Sequence, residues 1–180
     1  MTSPPYLTYV GSFPLQNTAA NLEQCIEDVL SIPFDYPNYI QLEDMCSQFL
    51  EPMANMDLGL TKKGNIYQSS GELRVPSKPV ATQPLDRLLD FVHNRAPPGI
   101  VKGIKACITG PFTLSSKVRR EKPATGLFAD TFLPDPAFVR RMADAVASIA
   151  RNYQQRGATY INLDEPILSV IVGNRLLFPE

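Results

Sequence analysis

Apolar residues along this 180-residue chain recur with two periods, one of strands and one of helices. Residues 6–13 (YLTYVGSF) form an aromatic and β-branched run that ends in Gly-Ser-Phe-Pro and reads as a first strand. Residues 17–32 read as a helix. Asn17 or Thr18 caps it, and Leu22, Ile26, Val29 and Leu30 share one face. Residues 34–42 suggest a second strand, weakened by Pro37, and residues 42–56 a helix with Met45, Phe49, Leu50 and Met53 inward. Between 58 and 73, Gly59, Gly64 and Gly71 divide short alternating pieces around Lys62-Lys63-Gly64-Asn65, the pattern of a β-hairpin excursion.

The stretch 76–84 reads as an extended loop and 85–93 (LDRLLDFVH) as a short amphipathic helix. Residues 100–109 (IVKGIKACIT) predict a third buried strand, followed at once by Gly110-Pro111-Phe112-Thr113-Leu114. The longest helix is expected over 135–156, with Phe138, Met142, Ala145, Val146 and Ile149 at helical spacing. Residues 159–163 then predict a fourth, buried parallel strand that stops on Asp164 and Glu165; Pro166 prevents simple continuation, and 167–172 begins another helix.

Strands that alternate with helices imply parallel βαβ units, hence an α/β fold. Four such units occupy 180 residues, whereas a complete (β/α)8 barrel takes about 250. The expectation is one partial domain over 1–180, the N-terminal half of a TIM barrel, with the hairpin inserted at about 58–73 and the rest of the barrel absent. The 17 prolines, scattered along the chain, suit many short elements joined by structured loops. A half-barrel exposes two sheet edges and uncovered apolar faces, so self-association or pairing with a second half-barrel is expected.

Composition narrows the function classes. A formal charge of −1 gives no electrostatic footprint for nucleic acid or an anionic membrane. No segment is apolar enough to span a bilayer, and the first residues, Met-Thr-Ser-Pro-Pro-Tyr-Leu, lack a signal-peptide pattern, so a cytoplasmic location is expected. Cys25, Cys46 and Cys107 are widely spaced, which argues against a disulfide framework and a self-contained zinc site. The single histidine, His93, reads as a helix-end residue.

Chemistry concentrates at the expected strand ends. Parallel strands would gather Gly11-Ser12, Gly110-Pro111 and Asp164-Glu165 on one face, which points to a binding site. Gly11 and Ser12 offer backbone N–H groups and a hydroxyl for a carboxylate or phosphate, or simply a tight turn. Thr113, after Gly110, is either an N-cap or a ligand-binding hydroxyl. Asp164 can grip an ammonium group or accept a proton, while Asp164 or Glu165 can instead cap the next helix. Glu43 and Asp44, at the head of the second helix, either add charge to the same mouth or complement the helix dipole. Arg119-Arg120-Glu121-Lys122 is either a mobile basic loop over an anionic substrate or a solvated run.

Val10-Gly11-Ser12-Phe13-Pro14, Asp44-Met45 with Phe49, residues 103–114 (GIKACITGPFTL) and residues 162–168 (NLDEPIL) occur in that order. Together they resemble the cobalamin-independent methionine synthase family, especially its short archaeal-type members that consist of the catalytic barrel. Gly-Pro-Phe-Thr-Leu and the stretch from Ile32-Pro33 to Glu51-Pro52 also resemble the related uroporphyrinogen decarboxylase and methylcobamide methyltransferase branches. The resemblance implies a (β/α)8 barrel that transfers a methyl group to the sulfur of homocysteine. It implies that Ser12 and nearby backbone hold the substrate carboxylate and that Asp164 holds its amino group. The family's acidic residue near the second strand has no clean match, since Tyr39, Gln41 and Glu43 occupy that region.

The resemblance further implies a zinc ion that activates the thiol, with ligands beyond the Asp-Glu-Pro motif and so outside this chain, and methylfolate or methylcobalamin as donor. Two rivals stand beside it: a decarboxylase of the uroporphyrinogen type, and a non-catalytic half-barrel or subunit that needs a partner chain.

Overall fold

The computed structural model describes residues 5–97, 99–121, 125–126 and 128–171. They form a mixed α/β structure with small sheets. Two compact units are present. The first takes the described residues of Met1–Asp44, Ala81–Ile108 and Ala150–Asn162; the second takes those of Met45–Val80, Thr109–Ile149 and Leu163–Glu180.

In the first unit, helix α1 (Ala19–Leu30) starts where Thr18 accepts a hydrogen bond from the Asn21 N–H at 3.2 Å, so Thr18 rather than Asn17 is the cap. Leu22, Cys25, Ile26 and Val29 form its buried stripe. Helix α3 (Gln83–Arg95) packs against α1 and buries Leu85, Leu88 and Phe91, with Arg95 bridging to Glu27 at 2.9 Å. His93 lies exposed in the last turn of α3.

The two expected N-terminal strands are not continuous. Residues 6–13 and 34–42 meet through single parallel pairs, Thr8 with Tyr36 and Ser12 with Gln41, and Asn38 pairs in parallel with Lys105. Pro33 and Pro37 lack the N–H that an unbroken ladder needs, and side chains substitute. The Leu7 N–H donates to the Asp35 carboxylate at 2.8 Å, the Thr8 hydroxyl to the Tyr36 carbonyl at 2.6 Å, and the Asn38 amide to the Val10 carbonyl.

Strand β3 (Ile104–Thr109) is buried at every position, including Lys105, whose ammonium donates to the Tyr9 carbonyl at 3.1 Å. It pairs with β5 (Ala158–Asp164). Here the expectation of a buried strand fails. Only Ala158 of β5 is buried, and Tyr160 and Leu163 are 50% and 53% exposed. The reason is positional: among the described residues β5 pairs with β3 alone, at the edge of a two-stranded sheet.

The second unit holds helix α2 (Ser47–Asn55), the hairpin β1 (Leu60–Lys63) and β2 (Ile66–Ser69), helix α4 (Pro111–Ser115), the two-residue strand β4 (Val118–Arg119), and α6 (Leu168–Ile171). The hairpin lies where glycine punctuation places it, with Gly64 at φ 59° in the turn, and β4 extends it in parallel alongside β2. Residues 43–46 precede α2 as a turn, so the helix begins five residues later than its apolar spacing suggests. Phe49, Leu50 and Met53 are buried and Met45 half-buried.

The long helix α5 (Pro136–Arg156) runs through the boundary after Ile149. Asp135 caps it by accepting from the N–H groups of Ala137 and Phe138 at 3.1 and 3.0 Å. The last expected helix is observed as the short α6, and Val172 lies outside the described residues.

Candidate functional site

In the first unit a row of polar side chains crosses four consecutive extended pieces. Gly11 opens it. Its φ of 102° is one that side chains rarely adopt, and a Cβ there would run into the Asn38 amide and sit 2.7 Å from the Tyr39 carbonyl. Two backbone hydrogen bonds bracket the next residue, from the Gln41 N–H to the Gly11 carbonyl at 2.8 Å and from the Phe13 N–H to the Gln41 carbonyl at 3.1 Å. Ser12 is thereby fixed with its hydroxyl exposed, donating to Gln41 Oε1 at 3.0 Å.

Gln41 is 6% exposed and donates through Nε2 to the Cys107 carbonyl at 3.5 Å. The same carbonyl accepts the Tyr39 hydroxyl at 2.5 Å, and the Cys107 N–H donates to the Asn38 side chain at 3.1 Å. On β5, Asn162 Nδ2 lies 3.9 Å from Cys107 Sγ. A hydroxyl, two carboxamides and a thiol thus follow one another across the four pieces. Carboxamide and hydroxyl groups can donate to a carboxylate and accept from an ammonium without carrying charge themselves.

Gln41, Cys107 and Asn162 stand beside the residues singled out from sequence but were not chosen. Gln41 and Asn162 are marked by their place near strand ends; Cys107 is not marked, because a strand buried at every position carries no pattern that shows which side chain faces the row.

In the second unit the Asp164-Glu165 end meets the turn after β3. The Gly110 N–H donates to the Asp164 carbonyl at 2.9 Å. Glu165 accepts from the Phe112 N–H at 2.8 Å, and from the Thr113 N–H and hydroxyl at 2.7 and 2.6 Å. Gly110 is the N-cap of α4 and has no side chain to serve those N–H groups, so a carboxylate 52 residues away from Thr113 does so. Two expectations are corrected here. Glu165 caps the helix that follows β3 rather than the one after itself, and Thr113 is the third residue of α4, neither its N-cap nor a free hydroxyl. Asp164 itself is half-buried.

The remaining candidates separate. Glu43 and Asp44 are exposed in the first unit and lie before α2, not in its first turn; Glu43 accepts from Asn17 Nδ2 at 2.5 Å. Gly11 and Ser12 belong to the first unit, and Gly110, Thr113, Asp164 and Glu165 to the second. In its described part the basic run is engaged by neighbouring groups: Arg119 pairs with Asp130, and Arg120 donates to the Thr131 carbonyl at 2.8 Å and lies 3.4 Å from Asp135. Lys122 lies outside the described residues.

Cys25, Cys46 and Cys107 are free and buried. Burial, helped by Asp28, pushes the Cys25 thiol up, away from the reactive thiolate. Burial likewise raises the Tyr9 and Tyr153 phenols, so both act as hydrogen-bond donors, Tyr9 to the Asn38 carbonyl and Tyr153 to the Ala81 carbonyl at 2.6 Å. Among the described residues no group of three His, Cys, Asp or Glu side chains could hold a metal ion, and no helix is long and apolar enough to cross a membrane.

The chain matches no family model and no curated protein.

Proposed function

We propose that this chain is the amino-acid-binding part of a methionine-synthase-like (β/α)8 barrel, and that its polar row grips the charged head of homocysteine. The observation that carries this reading is the Ser12–Gln41–Cys107–Asn162 row, which draws one residue from each of four extended pieces taken in chain order. Side-by-side pieces in chain order, with α1 and α3 in the connections, are what a half-barrel requires. Neutral amides and a hydroxyl suit a zwitterion, whose carboxylate needs donors and whose ammonium needs acceptors.

In the reaction the homocysteine sulfur attacks the methyl carbon of a methylated folate or corrinoid. The S–C bond forms as the donor's bond to that carbon breaks, and the thiol proton leaves. The described residues supply no ligand set for zinc. The row's part is to bind and orient. A uroporphyrinogen-type decarboxylation gains no support, because it favours cations that await substrate carboxylates, and Arg119 and Arg120 are engaged by Asp130 and Asp135. The exposed Tyr160 and Leu163 favour a second reading, in which the half-barrel works with a partner chain.

The test is a titration of L-homocysteine followed by the amide resonances of Ser12, Gln41 and Asn162. Loss of one hydrogen bond to a charged group in Ser12→Ala is expected to weaken binding about tenfold. Unchanged affinity in that variant, or equal binding of 1-propanethiol, which lacks the charged head, would overturn the reading.

A further inference from the structure

We propose that a second site, a cup of three tyrosines in the first unit, binds a small quaternary ammonium compound. The cup has a volume of about 430 Å³ and is lined by Tyr6, Thr8, Tyr36, Thr159 and Tyr160. Its residues come from the beginnings of the extended pieces, whereas Ser12, Gln41 and Asn162 come from their ends. Four residues of extended chain separate Thr8 from Ser12, roughly 13 Å.

The walls are set at steep angles. Tyr6 meets Tyr36 at 5.4 Å between centroids and 78°, and Tyr36 meets Tyr160 at 6.5 Å and 61°. Steeply inclined rings make a box and not a slot between parallel planes, so the shape suits a compact, rounded group better than a flat one. Tyr6 and Tyr160 keep 59% and 50% of their surface exposed. Gly103 lets the cup close, since a Cβ there would collide with the Thr159 hydroxyl and come within 3.0 Å of the Tyr36 ring.

The hydrogen-bonding inventory narrows the ligand. The Thr8 hydroxyl donates to the Tyr36 carbonyl at 2.6 Å. The Thr159 hydroxyl accepts from the Ile104 N–H at 2.9 Å and donates to its carbonyl at 3.2 Å. Both threonine hydroxyls serve the backbone, so the lining offers a ligand the phenol hydroxyls at the ring edges and the negative faces of the rings. A quaternary ammonium has no N–H to satisfy and is attracted by the negative faces of the rings. The structure already uses one of these faces in that way: Lys102 Nζ lies 4.5 Å from the Tyr6 centroid.

Choline is the probe, with 3,3-dimethyl-1-butanol as its uncharged counterpart of the same shape. Choline is expected to shift the ring resonances of Tyr6, Tyr36 and Tyr160 saturably, and the neutral alcohol to bind about tenfold more weakly. Tyr160→Leu and Tyr6→Leu, which keep apolar bulk and remove a ring, should each weaken choline binding several-fold and leave the Ser12 resonance in place. Equal binding of the alcohol would reduce the cup to an apolar hollow. Saturable binding of p-cresol without choline would make it a stacking site for flat rings, and sedimentation with phosphatidylcholine vesicles without binding of free choline would make it a lipid contact. Each of these results overturns the proposal.

Discussion

A single oxygen of Glu165 takes both the backbone N–H and the hydroxyl of Thr113, at 2.7 and 2.6 Å, while its other oxygen takes the Phe112 N–H. The carboxylate does the capping that Gly110 cannot, and Gly110 leaves the room for it, since a Cβ would run into the Glu165 side chain. Glu165→Ala strips a half-buried helix start of three hydrogen bonds and is expected to cost about 2 kcal/mol in chemical denaturation. Gly110→Ala is expected to cost a similar amount, about 2 kcal/mol, by displacing the same carboxylate. The double variant should then cost clearly less than the two singles together, because both remove one arrangement. Additive losses would show that the glycine and the carboxylate act separately.

Gly11 has two reasons to be glycine, its φ of 102° and the Tyr39 carbonyl 2.7 Å from any added Cβ. Gly11→Ala is expected to lower stability by about 2–4 kcal/mol and to shift the Ser12 and Gln41 amide resonances most. A variant as stable as the parent would mean that the segment can relax, and that the position of Ser12 is not held by this backbone.

Elements made by local rules were legible in the sequence. The Leu22, Ile26 and Val29 spacing marks α1, with the cap narrowed to Asn17 or Thr18, Asp135 marks the start of α5, and Gly64 marks the hairpin. What local pattern could not carry is pairing. Residues 6–13 and 34–42 have strand composition, yet prolines and side-chain hydrogen bonds leave single bridging pairs in place of ladders. The role of Glu165 depends on a residue 52 positions away, and the polar row depends on the register that sets Cys107 beside Asn38 and Asn162. The burial expected of β5 assumed neighbours on both sides, which a run of β-branched residues cannot by itself guarantee.

Self-association follows from that exposure. Leu163 of β5 and Val10 and Leu7 of the first extended segment are 53%, 66% and 53% exposed, on pieces whose backbone groups invite a further strand. Sedimentation velocity is expected to show a weight-average coefficient that rises with protein concentration. Leu163→Lys places a charge on the edge and should shift the distribution toward the monomer. A concentration-independent monomer in the parent chain would remove the case for a partner on these exposed pieces.

Asp35 ties the first two extended segments together, accepting from the Leu7 N–H at 2.8 Å and from Lys102 Nζ at 2.6 Å. The Lys102 hydrogen bond, and after it the Leu7 N–H, holds the Asp35 carboxyl below the usual carboxylate range. The hydrogen bond from Asp35 holds Lys102 above its own. The signs of the two linkages are opposite. Because the folded chain releases the Asp35 proton more readily than the unfolded chain, stability from this group is present above the ordinary value of about 3.9 and is lost as pH falls through the lower folded value. Because the folded chain keeps the Lys102 proton longer, stability from that group is full below about 10.4 and is lost as pH rises through the higher folded value. Asp35→Asn removes both effects. Urea midpoints of parent and variant should therefore differ most across the neutral range and converge at each extreme. A difference that stays constant from acid to alkaline pH would mean that Asp35 acts through its N–H acceptor role alone and not through charge.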